Sequence, residues 1–251
     1  MIITSFNILA DTFVENTKSF LDRWYPTLEY NELMMKNRFN TLIKYIKGDV
    51  IMLQEVTPHI RKKIYDIFKL KYIIMPLFCH KSKKEKTGNL TMLKKDLFKN
   101  PKQKTIYIGK NCIGITETDS TDIYNIHLDC DSSVKRKKEL TKIISTFNKN
   151  KKTIIGGDFN SDEKELHQLL SQEDFRINCP IKKGTYLCEK PMIDYIYVYG
   201  FLNPITKIHN TISPINSKRY KKTIKKYGSD HHPITVRVKQ TTRKKKGYIN
   251  V

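Results

Sequence analysis

The chain has 251 residues, with 47 lysines and arginines against 25 aspartates and glutamates, so its formal net charge is +22. Hydrophobic residues make up 39% and aromatic residues 10% of the chain, which excludes disorder throughout and is ample for a sizeable core. No apolar run approaches the roughly 18 residues that a spanning helix needs, which excludes an integral membrane protein.

Short apolar runs of β type predict the strands. Several of them are apolar almost throughout, as strands covered on both faces are. In chain order they are IITSF at 2–6, VIML at 50–53, YIIM at 72–75, LTML at 90–93, TIYIG at 105–109, DIYNIHL at 122–128, TIIGG at 153–157, IDYIYVY at 193–199 and ITVRV at 234–238.

Apolar stripes at helical spacing predict the helices. They occupy residues 39–46, 57–68, 140–147 and 162–170. Thr57 followed by Pro58 is typical of an N-cap with proline in the first helical position. Asp162, with Glu165 three residues later, is typical of a capping box.

The strands outnumber the helices, and helices follow only some of them. A regular βαβ alternation is therefore a poor fit, and two packed β-sheets with helices outside fit better. No repeat or Pro/Gly/Ser linker divides the chain. We expect one α/β domain over residues 1–240, and a basic tail over 241–251 that is a candidate for disorder.

The cysteines and the amino-terminal residues indicate a reducing compartment. Five cysteines, odd in number, form no CxxC pair, which argues against disulfides and structural zinc. The chain opens on a predicted strand, with no secretory signal. We expect an intracellular protein, cytoplasmic or nuclear, that is not secreted. The cysteines are Cys79, Cys112, Cys130, Cys179 and Cys188.

The positive charge has two interpretations. Lysine and asparagine are abundant everywhere, so composition explains part of the excess. A net charge of +22 nevertheless attracts polyanions, of which nucleic acid is the first choice and an anionic membrane surface the second. Lysine-rich loops at 80–86, 99–104 and 218–226 are either solvated faces or parts of a phosphate-binding groove.

Individual residues in such a groove are candidate substrate contacts. Lys221, Lys222 and Lys225 are candidates for binding phosphate. Aromatic side chains near a cleft stack bases, although each is as compatible with a place in the core. The aromatic candidates are Trp24, Tyr25, Tyr186 and Tyr220.

Polar residues stand where the apolar runs end. Charged groups beside buried strands are costly unless they are paired, bound to metal or exposed in a cleft. Each alone is compatible with an ordinary turn residue, but together they supply carboxylates, amides and imidazoles suited to hydrolysing phosphate esters. They are Asn7, Glu55, His127, Asp158, Asn160, Asp194, Asp230 and His231.

The order and wording of these motifs resemble the endonuclease/exonuclease/phosphatase superfamily. The matching motifs are SFN, LQE, HL, GDFN, IDYI and SDHxP, and they run from Asn7 to Pro233. The resemblance implies the DNase-I-like fold, a four-layer α/β sandwich of two packed, mostly antiparallel β-sheets flanked by helices.

The resemblance also implies a cofactor and roles. Glu55 would bind Mg²⁺, or Mn²⁺, with Asn7 and Asp230 beside it, because hard cations take oxygen ligands. Asp158 would orient or deprotonate the attacking water. Asn160 would hold that water or a phosphate oxygen. His127 and His231 would stabilise the phosphoryl group, with His231 oriented by Asp194.

Two positions depart from the pattern. The apurinic endonucleases of this superfamily often carry an acidic residue where this chain has Leu9. The absence of that residue argues against an activity on abasic sites and suggests a single metal. His232 stands next to His231 and is expected to be a bystander.

The branch of the superfamily is left open by the sequence. SFNILAD and RWYP resemble the deadenylases of the carbon-catabolite-repressor and nocturnin type, whereas LQEVTP and GNLTMLKK are similar to the tyrosyl-DNA phosphodiesterases. We predict a monomeric, metal-dependent nuclease or phosphodiesterase, with a 3′ exonuclease as one form. The alternatives are processing of tyrosyl-linked ends, hydrolysis of a small phosphate ester or lipid headgroup, and a non-catalytic nucleic-acid-binding module.

Overall fold

A computed structural model describes residues 1–15, 29–76, 87–108, 111–161, 164–177, 193–208 and 224–239. The basic tail predicted at 241–251 lies outside these ranges, as do the loop at 80–86, the cap residue Asp162 and three cysteines. The boundary of the single domain predicted over 1–240 stays a prediction.

Two six-stranded sheets form the centre of the fold. One has the order β11-β12-β1-β2-β4-β3 and the other β5-β6-β7-β8-β10-β9. Each sheet contains a parallel pair at its centre, β1/β2 and β7/β8, among antiparallel neighbours. The strands are β1 (Ile2–Asn7), β2 (Val50–Val56), β3 (Tyr72–Ile74), β4 (Gly88–Lys94), β5 (Lys102–Ile108), β6 (Asn111–Glu117), β7 (Thr121–His127), β8 (Lys152–Asp158), β9 (Arg176–Ile177), β10 (Asp194–Tyr199), β11 (Leu202–Ile208) and β12 (Ile234–Lys239).

Helices cover the outer faces of both sheets. Most residues of the predicted stripes lie on helices, and Thr57 Oγ1 accepts the Ile60 amide at 3.3 Å as an N-cap does. Three details of the stripes are wrong: Ile46 and Phe147 lie beyond the ends of their helices, and Ile67 is half exposed because the helix turns it away from the sheet. The helices are α1 (Asp11–Glu15), α2 (Tyr30–Leu33), α3 (Met35–Leu42, continued by a 3₁₀ turn at Ile43–Tyr45), α4 (Pro58–Phe68), α5 (Ser133–Ile144) and α6 (Lys164–Gln172).

The alternation of side chains along β2 builds the layers. Val50 and Met52 point between the two sheets, whereas Ile51 and Leu53 pack beneath α3 and α4. The inner cluster continues through the second sheet to α5 and α6. The sheets approach closely at Gly156, where an added Cβ would lie 2.2 Å from Met52 Cε. The four-layer α/β sandwich predicted from the sequence is therefore confirmed.

Three strands escaped prediction because their sequences are not apolar runs. β6 mixes polar residues with apolar ones around Gly114, β9 has only two residues, and β11 contains Pro204. Proline is tolerated in β11 because this strand lies at the edge of its sheet, where the ladder is shifted between Leu202 and Ile205. Within the described ranges no helix is long and apolar enough to cross a bilayer.

Candidate active site

The ends of the central strands meet at one edge of the sandwich. Because β1 runs parallel to β2 and β7 parallel to β8, each pair ends on the same side. Asn7, Glu55, His127 and Asp158 lie at these ends. β10 runs antiparallel to β8 and begins with Asp194, which lies opposite Asp158 in the register. Residues from both sheets thereby converge on one site.

Glu55 lies in a local distortion of β2. The register with β4 shifts between Leu53 and Val56, and Glu55 itself has a φ of 59°. Its carboxylate accepts a hydrogen bond from Asn7 Nδ2 at 2.8 Å and another from the Ala10 amide at 2.9 Å. The bulge therefore turns the carboxylate toward the end of β1, where two neutral donors hold it.

Burial raises the pKa of the Glu55 carboxyl above its ordinary value. The nearby Asp230 carboxylate raises it further, while His127 lowers it, with Nε2 at 4.0 Å from Glu55 Oε1. A carboxylate whose charge is disfavoured in this way gains from a cation in the site.

Asp158 lies between the two sheets. Its Oδ2 accepts from Asn7 Nδ2 at 3.0 Å, and its Oδ1 accepts from the Asn160 amide at 2.8 Å. Asn160 has a φ of 50°, a left-handed conformation that asparagine tolerates, and its side chain donates to the Leu128 carbonyl at 2.8 Å. His127 Nε2 is 3.7 Å from Asp158 Oδ2. These contacts link the end of β8 to the ends of β1 and β7.

Glycine is required directly before Asp158. Gly157 has a φ of +151°, and an added Cβ would lie 1.8 Å from the Ile126 carbonyl oxygen. The close approach of β7 and β8 at this point therefore excludes any side chain.

Asp194 and His231 form a buried ion pair. His231 Nδ1 is 2.8 Å from Asp194 Oδ2. Burial lowers the pKa of the His231 imidazole, but the carboxylates of Asp194, Asp230 and Asp158 outweigh burial and raise this pKa well above its ordinary value. Its Nε2 lies 3.7 Å from Asp158 Oδ2 and 4.0 Å from Asp230 Oδ1. Nε2 of the ring therefore faces the other acidic groups of the site, and their charges favour its protonated form.

Ser229 connects Asp230 and His231 to the end of β1. Its hydroxyl donates to the Asn7 carbonyl at 2.7 Å, accepts the His231 amide at 3.2 Å and lies 3.3 Å from Asp230 Oδ1. The sequence motif SDHxP contains this serine, but no role could be assigned to it from the motif alone.

The donor set suits a hard divalent cation. Glu55 and Asp158 both accept from the Asn7 side-chain amide, and the carboxylates of Asp158, Asp194 and Asp230 surround His231. Ligand atoms of Asp158, Asp194 and His231 all lie within 4.8 Å of one another. His231 Nδ1 is engaged with Asp194, and the carboxylate oxygens of the site are of the kind that could hold a hard divalent cation.

A buried amide pair joins the two sheets behind Glu55. Gln54 Nε2 donates to Asn125 Oδ1 at 2.7 Å, and Asn125 Nδ2 donates to the Leu53 carbonyl at 3.2 Å. Both side chains are fully buried. Gln54, the residue directly before Glu55, is therefore held by the other sheet. Sequence analysis missed this contact because it joins residues 71 positions apart.

The two departures from the family pattern lie at the site and do not add to its acidic groups. Leu9 is buried with a φ of 53°, and its amide donates to Asn7 Oδ1 at 3.0 Å. His232 is buried with its ring 5.0 Å from that of Tyr227, and burial lowers its pKa to about 4, helped by His231 and Lys226.

The candidate substrate contacts are mostly beyond the described residues. Lys225 is exposed, directly precedes the segment that carries Asp230, and pairs with Glu32 at 3.7 Å. The remaining candidates lie outside the described residues and are Lys221, Lys222, Trp24, Tyr25, Tyr186 and Tyr220.

The sequence pattern of the "Endonuclease/Exonuclease/phosphatase family" matches residues 5–231 of the chain. That span contains all eight polar residues predicted for the site. The comparison with curated proteins gives no match.

Solved structures share the fold at low identity. A functionally unknown conserved protein from Enterococcus faecalis V583 is 18% identical, with 96% of this chain and 100% of that chain covered and a TM-score of 0.66. Truncated TDP2 from Caenorhabditis elegans is 16% identical, with coverages of 94% and 96% and a TM-score of 0.60. ANGEL2, described as a 2′,3′-cyclic phosphatase in complex with adenosine-2′,3′-vanadate, is 14% identical, with coverages of 94% and 94% and a TM-score of 0.64.

Proposed function

Because the chain belongs to the endonuclease/exonuclease/phosphatase family, we propose that it hydrolyses phosphodiester bonds in nucleic acid, RNA or DNA, with Mg²⁺ as its cofactor. Family membership makes it a hydrolase of phosphoester bonds; the substrate and the metal are the proposal. The observation that carries the proposal is the buried His231, held by Asp194 at 2.8 Å with its Nε2 at 3.7 Å from Asp158 Oδ2 and 4.0 Å from Asp230 Oδ1.

Asp158 is the proposed general base. Its Oδ2 accepts from Asn7 Nδ2 and its Oδ1 from the Asn160 amide, and these two hydrogen bonds orient the carboxylate. It accepts a proton from water while the water oxygen bonds to phosphorus and the bond to the leaving oxygen breaks. Asn160 holds the water or a phosphate oxygen.

His231 and His127 are the proposed electrostatic groups. As an imidazolium, His231 donates from Nε2 to a non-bridging oxygen, where charge develops during the reaction. Asp194 keeps Nδ1 protonated and fixes the ring plane. His127 reaches the same region from the end of β7 and donates to a second oxygen.

Glu55, Asn7 and Asp230 would hold the cation. Bound there, Mg²⁺ would act as a Lewis acid on the phosphoryl group, and Mn²⁺ could replace it. The raised pKa of Glu55 supports this assignment, because a bound cation restores the charged form of a buried carboxylate.

The net charge of +22 supports nucleic acid over a small soluble ester, since a basic surface holds a polyanion and a small ester has no need of it. A monomer working in the cytoplasm or nucleus fits this proposal. Lys225, beside the segment that carries Asp230, is a proposed phosphate contact together with Lys221, Lys222 and Tyr186.

The first test uses RNA labelled at its 5′ end and carrying a 3′ oligo(A) tail, incubated with protein and Mg²⁺ and resolved on a sequencing gel. Glu55→Gln removes the proposed ligand without changing side-chain volume. Glu173→Gln is the matched control, because that carboxylate pairs with Lys149 at 2.8 Å and not with the site. We expect a ladder from the wild type and the control, and none from Glu55→Gln.

The products distinguish the forms of the proposal. Shortening from the 3′ end indicates a 3′ exonuclease of deadenylase type, and internal bands indicate an endonuclease. Intact RNA and intact DNA would contradict the proposal. RNA ending in a 2′,3′-cyclic phosphate, tyrosyl-linked 5′ ends, and then small phosphate esters or lipid headgroups would be the next substrates.

A further inference from the structure

Arg38 is a buried arginine on α3 whose guanidinium points at backbone carbonyls beneath the site. Its side chain is 2% exposed. Nη1 donates to the carbonyls of Ile8 and Gly228, each at 2.6 Å, and Nη2 donates to the carbonyl of Leu9. Nε donates to the Leu33 carbonyl at 2.5 Å. One guanidinium thus joins three separate segments of the chain.

Two of these carbonyls belong to peptide units that also contact the site. The Ile8 carbonyl shares its peptide unit with the Leu9 amide, which donates to Asn7 Oδ1 at 3.0 Å. The Leu9 carbonyl shares its peptide unit with the Ala10 amide, which donates to Glu55 Oε2 at 2.9 Å. Because a peptide unit is planar, holding its carbonyl fixes the direction of its N–H. By binding these two carbonyls, Arg38 therefore fixes the directions of the amides that hydrogen-bond to Asn7 and Glu55.

The third carbonyl leads to Asp230. The Gly228 carbonyl directly precedes Ser229, whose hydroxyl contacts the Asn7 carbonyl at 2.7 Å and Asp230 Oδ1 at 3.3 Å. Gly228 has a φ of +75°, and an added Cβ would lie 2.8 Å from the Arg38 carbonyl oxygen. The segment that carries Asp230 therefore packs closely, at Gly228, against the backbone of Arg38.

We propose that Arg38 is a positioning residue that sets the affinity of the site for its divalent cation by holding Glu55, Asn7 and Asp230 in one arrangement. This inference rests on the proposed function, which makes those three residues the ligands. A guanidinium suits the task because its donors form a rigid planar fork that reaches several carbonyls at once. An ammonium keeps the charge but lacks the fork.

The test compares Arg38→Lys with Arg136→Lys. Arg136 is the matched control, because it is also buried and donates to the carbonyls of Asp129 and Cys130, at 3.1 and 3.4 Å, in the segment that precedes α5. Circular dichroism first establishes that each variant is folded at the temperature used. If Arg38→Lys does not fold, Arg38→Gln, which can still donate to one carbonyl, takes its place.

Two readouts follow, neither of which needs turnover. The first is Mn²⁺ binding, from the electron paramagnetic resonance signal of the free ion. Loss of support behind metal ligands typically weakens affinity roughly 10- to 100-fold, and we expect a loss in this range for Arg38→Lys. The second is amide hydrogen exchange in EDTA, where we expect faster exchange at residues 8–10 and 228–231.

The outcomes separate the two proposals. Weaker Mn²⁺ binding with faster exchange in both segments, and neither effect in Arg136→Lys, supports the assignment of Arg38. Wild-type affinity in a folded Arg38→Lys, even with a lower melting temperature, overturns it. A wild-type protein that binds no Mn²⁺ overturns the proposed function, and the inference with it.

Discussion

Replacing Asp194 by asparagine tests whether His231 is an imidazolium held by a buried carboxylate. The His231 side chain is 6% exposed and the Asp194 side chain 2%. Their Nδ1 and Oδ2 atoms are 2.8 Å apart, so water screens their attraction poorly. Removing one partner of a buried ion pair costs about 3–5 kcal/mol. The asparagine oxygen still accepts from Nδ1, and a neutral hydrogen bond recovers about 1 kcal/mol. The free energy of unfolding of Asp194→Asn should therefore be about 2–4 kcal/mol lower than that of the wild type near pH 6.

The pH dependence has a definite sign. Because the pKa of His231 is raised on folding, the stabilisation is complete below the pKa of an unfolded histidine, about 6.5, and is lost as the pH rises through the raised pKa. The difference between wild type and Asp194→Asn should thus be largest near pH 6 and shrink toward alkaline pH.

Urea unfolding followed by circular dichroism at several values between pH 6 and pH 9, in EDTA, measures this difference. Asp122→Asn is the control, because Asp122 is also buried but pairs with Lys151 at 3.1 Å. Its effect should stay constant above neutral pH. A pH-independent difference for Asp194→Asn would refute the imidazolium, and with it the proposed role of His231 as a charged donor.

Three further predictions concern the residues around this pair. Mg²⁺ should raise the melting temperature of the wild type but not that of Glu55→Gln, because a bound cation favours the charged form of a carboxylate whose charge burial disfavours. Equal stabilisation of both proteins by Mg²⁺ would contradict the ligand role of Glu55. Asn125→Leu should cost about 3 kcal/mol because it leaves the buried Gln54 amide without its 2.7 Å partner, and adding Gln54→Met should recover at least 1 kcal/mol in a urea double-mutant cycle. Additive effects would argue against coupling. Gly157→Ala should lower the free energy of unfolding by more than about 2 kcal/mol, well beyond Gly200→Ala, where the nearest atom is a flexible lysine carbon at 3.3 Å.

Local pattern was enough to predict most of the architecture. Apolar runs such as VIML mark buried strands because a central strand is covered on both faces, and the amphipathic stripes mark helices that cover the sheets. β6 and β11 escaped because β6 mixes polar residues and Gly114 with its apolar ones and β11 contains Pro204. Their backbones pair with β5 and β12, which a search for apolar runs does not record.

The residues of the candidate site likewise divide into those that local sequence indicates and those that depend on contacts distant in sequence. Glu55 and Asp158 were predictable because a charged residue at the end of an apolar run is unusual in itself. Arg38 was not, because it stands in a helix between ordinary neighbours, and its importance comes from carbonyls 29 to 190 positions away. The Gln54–Asn125 contact likewise exists only once the two sheets have packed.

The position of β12 inside its sheet has a consequence for synthesis of the protein. This strand pairs with β1 on one side and β11 on the other, and Ile2 lies opposite Arg237. β1 therefore cannot complete its pairing until β12 has been synthesised. Asp230 and His231 directly precede β12, so a nascent chain that stops before this segment lacks both the closing strand and two residues of the candidate site. Contacts so distant in sequence form slowly, and we expect the sheet and the site to be completed together.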